Sequence, residues 1–218
     1  MARVATLKRR EAPLVLDDAD KERNEYKHVC FDLFGYKPTK EQLKVHDDPA
    51  RIKLVSGGER AGKSFLTGQE LASQVLLGTK FWICALNYDM CKPEFDYVAE
   101  ALTTLQNRQG KHFIDSINWS DRDKSHIRLA NGKVEIITKS LRDYLKVAVE
   151  APDGIVVCEA DQVPWPTIER LLMRTLEKNG WVLLSGTYES SLGWQSQKWK
   201  GWQGPNNLGA KSFSLPTW

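Results

Sequence analysis

Short apolar blocks alternate with longer amphipathic stretches along this chain, and that order predicts strands separated by helices. Residues 52–55 are an apolar run within a strand over 51–56, and residues 81–86 (FWICAL) are continuously apolar, as in a sheet buried on both faces. Residues 155–158 and 181–185 read as two further core strands. Residues 65–77 give a helix after the first strand. Pro93 sits at a first helical position, and Phe95, Val98, Leu102 and Leu105 then share one helical face. A helix over 164–178 is stopped by Asn179-Gly180. Thr39-Lys40-Glu41-Gln42 carries a capping-box pattern that opens a short helix before the first strand. Residues 127–136 alternate about Asn131-Gly132, the pattern of an antiparallel hairpin. The expected class is α/β, with a mostly parallel central sheet flanked by helices and an antiparallel hairpin extension. Residues 1–25 are charged and aperiodic, so they are expected to form an arm or loosely attached helix ahead of one domain over 26–218.

The first strand runs directly into Gly57-Gly58-Glu59-Arg60-Ala61-Gly62-Lys63-Ser64, which fits GxxxxGK[ST]. Glycines in such a loop let successive backbone N–H groups turn inward around a polyphosphate. Lys63 can then reach the β and γ phosphates of ATP, and the Ser64 hydroxyl can ligate Mg²⁺. The positive end of the following helix faces the same anion.

Binding alone does not hydrolyse ATP, so a second buried strand should end in a residue that activates water. The run Gly154-Ile155-Val156-Val157-Cys158-Glu159-Ala160-Asp161 supplies it. ATPases of this layout usually end that strand in Asp-Glu, the Asp holding waters on Mg²⁺ and the Glu orienting the attacking water. Glu159 takes the second place here and Cys158 the first, and a thiol is a poor substitute for a hard oxygen. Asp161 is a further candidate for the metal from the following loop. Together the two motifs read as a P-loop NTPase of the ASCE type. Tyr36 and Gln42, ahead of the first strand, are candidates for contact with the base and sugar, and Gln42 also fits a purely capping role.

The chain has 218 residues, a formal charge of +3 and four cysteines. The near balance does not announce a nucleic-acid partner, although both ends are locally basic, with Arg3, Lys8, Arg9 and Arg10 at one end and Lys198, Lys200 and Lys211 at the other. Cys30, Cys84, Cys91 and Cys158 form no CxxC pair, which points to a reducing compartment without a structural metal. No segment approaches the roughly 20 apolar residues of a membrane span, so no membrane partner is expected.

In the order Gly35-Tyr36-Lys37-Pro38, Gln42, the phosphate loop, residues 82–88, Asn131-Gly132, Glu159-Ala160, residues 180–187 and Gly193-Trp194, the chain resembles the ATPase domain of the large terminase subunit of tailed bacteriophages. The resemblance implies an ATPase that binds double-stranded DNA, assembles as a homo-oligomeric ring on the portal protein of a procapsid, works with a small terminase subunit, and drives the genome inside within the host cytoplasm. It places Ser185, Gly186 and Thr187 in the motif that couples hydrolysis to movement, where the same residues also read as the end of a core strand. The family usually has an arginine four residues before the loop lysine; this chain has Glu59 there and Arg60 one step later. Ring ATPases also need a cation to offset charge developing on the γ-phosphate, commonly from the neighbouring subunit. Arg142 is the first candidate and Lys146 the second, and a solvated helix face explains both equally well. The family's nuclease domain would need more than the about 30 residues that follow the coupling segment, so no nuclease activity is expected.

Other nucleic-acid translocases share both ATP motifs, but a helicase would carry a second motor domain. A P-loop kinase would use an acceptor site instead of a water-activating Glu159. Cys158 in place of the usual Asp leaves open, as an alternative, a nucleotide-dependent assembly module with little turnover. Trp194, Trp199, Trp202 and Trp218 stand among lysines, and they are expected to bury an element or meet another domain, because a duplex offers no free bases to stack.

Overall fold

The computed structural model describes residues 18–142, 150–187, 193–206 and 208–216. One eight-stranded sheet organises them, in the order β3-β4-β5-β2-β6-β7-β1-β8. The strands are β1 (Ile52–Gly57), β2 (Lys80–Ala85), β3 (Ile114–Asn118), β4 (His126–Leu129), β5 (Val134–Ser140), β6 (Gly154–Val157), β7 (Trp181–Gly186) and β8 (Ala210–Leu215). From β5 across to β8 all neighbours run parallel. Only β4 runs against its neighbours β3 and β5. Ala130, Asn131 and Gly132 all take positive φ at the β4–β5 turn, as the Asn-Gly pair predicts. The carboxyl ends of β1, β2, β5, β6 and β7 therefore share one edge, where ligands of open α/β sheets bind.

Successive residues of the central strands face opposite layers. Phe81, Ile83, Ala85, Val156 and Cys158 join one core with α1 (Asp18–Phe34), α3 (Lys63–Gln74) and α4 (Lys92–Gln109). Trp82, Cys84, Ile155 and Val157 join the other with α5 (Trp165–Thr175) and Trp202, which follows α6 (Trp194–Gly201). Burial on both faces explains the continuous apolar runs. A short helix, α2 (Lys40–His46), completes the fold, and Thr39 and Gln42 cap it reciprocally as the pattern predicts. The four cysteines are buried and unpaired with one another. No helix among the described residues is long and apolar enough to cross a membrane.

Several elements differ from expectation. Helix α1 crosses the expected boundary at residues 25/26, and it is anchored by polar groups: Asn24 Nδ2 donates to the Asp47 carbonyl at 2.9 Å, and buried Lys27 pairs with Glu70 at 3.1 Å. Residues 1–17 lie outside the described residues. Helix α5 stops at Thr175, short of 178, and Asn179 in the left-handed region leads into Gly180, whose N–H returns to the Thr175 carbonyl. The tail forms α6 and the edge strand β8. There the indoles of Trp194 and Trp199 donate to the carbonyls of Val163 and Phe213, while Trp202 is buried, so these three tryptophans pack the tail onto the sheet. Trp218 lies outside the described residues.

Candidate active site

Strand β1 delivers the chain to the phosphate loop and α3 takes it away. Strand β8 passes so close to the loop's start that a Cβ on Gly57 would lie 2.9 Å from the Leu215 carbonyl oxygen. Arg60 and Gly62 adopt φ of 60° and 79°, and this left-handed geometry wraps the loop before the helix begins. The Lys63 ammonium donates to the carbonyls of Gly57 and Gly58 and to Thr187 Oγ1, each at 2.9 Å. The base of the loop is thereby tied to the end of β7.

Glu159 stands two residues beyond the end of β6, with φ of 44° and ψ of 55°. A non-glycine residue held in the left-handed region stores strain, as often occurs at functional sites. Glu59, Arg60, Ala61, Gly62, Lys63, Ser64, Phe65, Pro93, Tyr97, Glu159 and Thr187 line one open cavity of 410 Å³. Cys158 and Glu94, the latter from the first turn of α4, are both buried and do not line it. Burial pushes the Glu94 carboxyl up. Burial also raises the Cys158 thiol well above its ordinary value, with Cys91 and Glu94 adding to it.

The structure thus brings Glu59, Arg60, Ala61, Gly62, Lys63, Ser64, Glu159 and Thr187 around one cavity, with Gly57 and Gly58 holding Lys63 beneath it. Gln42 takes the capping role, its Oε1 accepting from the Thr39 N–H at 2.9 Å; its Nε2 lies 3.2 Å from where a Cβ on Gly62 would stand, but it is not among the cavity's lining residues. Ser185 is buried and donates to the Val157 carbonyl at 3.3 Å, tying β7 to the strand that presents Glu159.

Three expected residues lie elsewhere. Tyr36 is buried, its hydroxyl 3.0 Å from His46 Nε2 and its ring edge-on to Phe65, so it backs the cavity wall without lining it. Asp161 turns toward β7, where its Oδ1 would meet a Cβ on Gly186 at 2.9 Å, and it is not among the cavity's lining residues. Arg142 is exposed beyond the carboxyl end of β5, outside the cavity of its own chain. Lys146 lies outside the described residues.

Sequence reasoning missed the aromatic side of the cavity and the polar support beneath α3. Phe65 and Tyr97 meet edge to face at 4.9 Å beside Pro93. Tyr97 falls four residues after Pro93, a helical spacing that placed both on one side of α4. Glu70 in α3 gathers Lys27 at 3.1 Å, His46 Nδ1 at 2.6 Å and Lys53 at 3.8 Å, all buried. Lys27 and Lys53 also donate to the carbonyls of His46 and Val45. Burial would raise Glu70, but the two ammonium groups and His46 outweigh it and hold the carboxyl well below the usual range. Lys53 is lowered to about 8 by burial, against the pull of Glu70. No pattern in one sequence joins four ionisable residues spread over α1, α2, β1 and α3.

Comparison with known proteins agrees with this architecture. No family model matches the chain. The large terminase subunit of Thermus phage G20c is 26% identical over 193 residues, covering 80% of this chain and 38% of that protein's length. The large terminase ATPase domain of Thermus phage P74-26 superposes with a TM-score of 0.69 at 23% identity, covering 84% of this chain and 83% of that one. A large terminase of a thermophilic bacteriophage, solved with ATP-gamma-S, gives 0.60 at 10% identity over 81% of this chain and 44% of its own. The chain has the α/β fold of a P-loop ATPase domain of the ASCE type, and it resembles the ATPase domain of the tailed-bacteriophage large terminase subunit.

Proposed function

We propose that this chain is an ATP-hydrolysing motor domain that couples hydrolysis to movement of double-stranded DNA into a procapsid. The observation that carries the reading is the meeting of Lys63, Ser64, Glu159 and Thr187 at one cavity on the carboxyl edge of the sheet. The inward-facing loop and Lys63 bind the phosphates of ATP, and the Phe65–Tyr97 side faces the rest of the nucleotide. Glu159 orients the attacking water. Ser185, Gly186 and Thr187 carry the change at the γ-phosphate into β7.

Mg²⁺ suits the oxygen donors present. Among the described residues no group of three or more His, Cys, Asp or Glu is arranged to hold a metal alone, which fits an ion that arrives on phosphate oxygens. When bound, Mg²⁺ neutralises developing phosphate charge, and Ser64 is the residue that would ligate it. In this reading Arg142, which is exposed and outside its own cavity, serves the cavity of a neighbouring subunit in a homo-oligomeric ring. The portal protein, the procapsid and a small terminase subunit are the further partners, with the host cytoplasm as the place of action.

Steady-state ATP hydrolysis with and without linear duplex DNA tests the reading. Turnover that rises with duplex and is lost in Lys63→Ala is expected. Nucleotide binding without turnover, indifferent to DNA, would contradict it and favour an assembly module.

A further inference from the structure

Helix α6 begins with two residues that reach both ATP motifs. The Trp194 indole donates to the Val163 carbonyl at 2.9 Å, in the loop that follows Glu159. The next residue, Gln195, is only 2% exposed and reaches the carboxyl ends of β1 and β7. Its Nε2 donates to Ser56 Oγ at 3.0 Å, and its Oε1 lies 3.0 Å from where a Cβ on Gly186 would stand. Ser56 and Gly186 are register partners, the last pair of the parallel β1–β7 ladder, so one amide spans both strand ends. One residue further on stand Gly57, whose carbonyl accepts from Lys63, and Thr187, whose hydroxyl also accepts from Lys63.

Stability alone does not account for an amide here. The Gln195 Oε1 is buried and meets no donor among the described residues. A buried acceptor left unpaired costs free energy, and an apolar side chain of the same length, such as methionine, would fill the space without that cost. We infer that Gln195 is a positioning residue for ATP hydrolysis, acting through Ser56 to fix the separation between the phosphate loop and Thr187. The inference rests on the nucleotide reading above. Gln195 does not line the cavity, and its effect reaches the reaction through the two strand ends. Hydrolysis is the step sensitive to that spacing, because a misplacement of about 1 Å can slow a reaction about 100-fold. Binding is less sensitive, since many N–H groups of the loop share the phosphates.

The test measures ATP affinity, single-turnover hydrolysis and Tm in wild type, Gln195→Met, Ser56→Ala and the double variant. Gln195→Met removes the amide at constant length. It is expected to keep ATP affinity within about threefold and Tm within a few degrees while hydrolysis slows about tenfold. Ser56→Ala deletes the partner and is expected to slow hydrolysis comparably. The double variant should then be no slower than either single change, because both cut the same contact. A wild-type rate in Gln195→Met overturns the inference, as does a lowered Tm with an unchanged rate, which is the signature of a merely structural glutamine. Equal losses of affinity and rate overturn it by showing a disrupted loop, and losses that multiply in the double variant overturn it by showing that Gln195 does not act through Ser56. Should Gln195→Met be unfolded, an unchanged rate in Ser56→Ala overturns the inference equally. Failure of the wild type to bind ATP at all, matching Lys63→Ala, overturns the nucleotide reading and the inference with it.

Discussion

The Lys63 ammonium donates to Thr187 Oγ1 at 2.9 Å, joining the phosphate loop to the residue that follows β7, 124 positions away in sequence. The two belong to motifs with different expected tasks, phosphate binding and coupling. In the proposed function, their contact puts the coupling segment in direct touch with the group that binds the γ-phosphate.

Thr187→Val keeps the branched shape and deletes the hydroxyl. A hydrogen bond to a charged group contributes about 1.5–3 kcal/mol. Turnover is predicted to fall about tenfold or more, with ATP affinity changing less, and Thr187→Ser should recover most of it. Equal losses in affinity and turnover would place the hydroxyl in simple ground-state binding.

Gly186 is hemmed in by polar atoms. A Cβ there would lie 2.9 Å from Asp161 Oδ1 and 3.0 Å from Gln195 Oε1, and Gln195 also donates to Ser56 of β1 at 3.0 Å. Gly186→Ala should therefore destabilise by about 1–3 kcal/mol, as overpacking does, and lower the Tm by several degrees. A Tm within one degree of wild type would show that the neighbours yield freely.

The Glu70 network predicts acid sensitivity. Its folded pKa is depressed, so its stabilisation is complete above about 4.5, the ordinary value, and is lost as pH falls from there through the lowered folded value. His46 is lowered from 6.5 chiefly by burial, and its stabilisation likewise fades as pH drops below that value. Urea unfolding from pH 7 to pH 3.5 should show stability declining in both windows. Glu70→Gln should cost about 3–5 kcal/mol at pH 7, because it strands two buried lysines, and should flatten the lower window. Stability independent of pH below 6 would contradict this description.

Much of the fold was legible because its signals are local. Strands β2 and β6 are apolar on both faces, Asn131-Gly132 marks its turn, and Thr39 and Gln42 make the predicted cap. Helix α1 was hidden because its buried positions include Asn24 and Lys27. Strands β3 and β8 are edges whose polar residues outnumber or interrupt the apolar ones. The phosphate loop and Glu159 were readable as contiguous motifs. Tyr36 and Asp161 showed the converse failure: proximity in sequence suggested the cavity, and packing against His46 and Gly186 turned them away.

The central claim, that this cavity binds and hydrolyses ATP with Glu159 activating water, is tested most directly by measuring ATP affinity and single-turnover hydrolysis in wild type, Lys63→Ala and Glu159→Gln. Wild type should bind and hydrolyse, Lys63→Ala should lose binding, and Glu159→Gln should bind normally while hydrolysis falls by about 100-fold or more. Hydrolysis by Glu159→Gln at the wild-type rate would contradict the account.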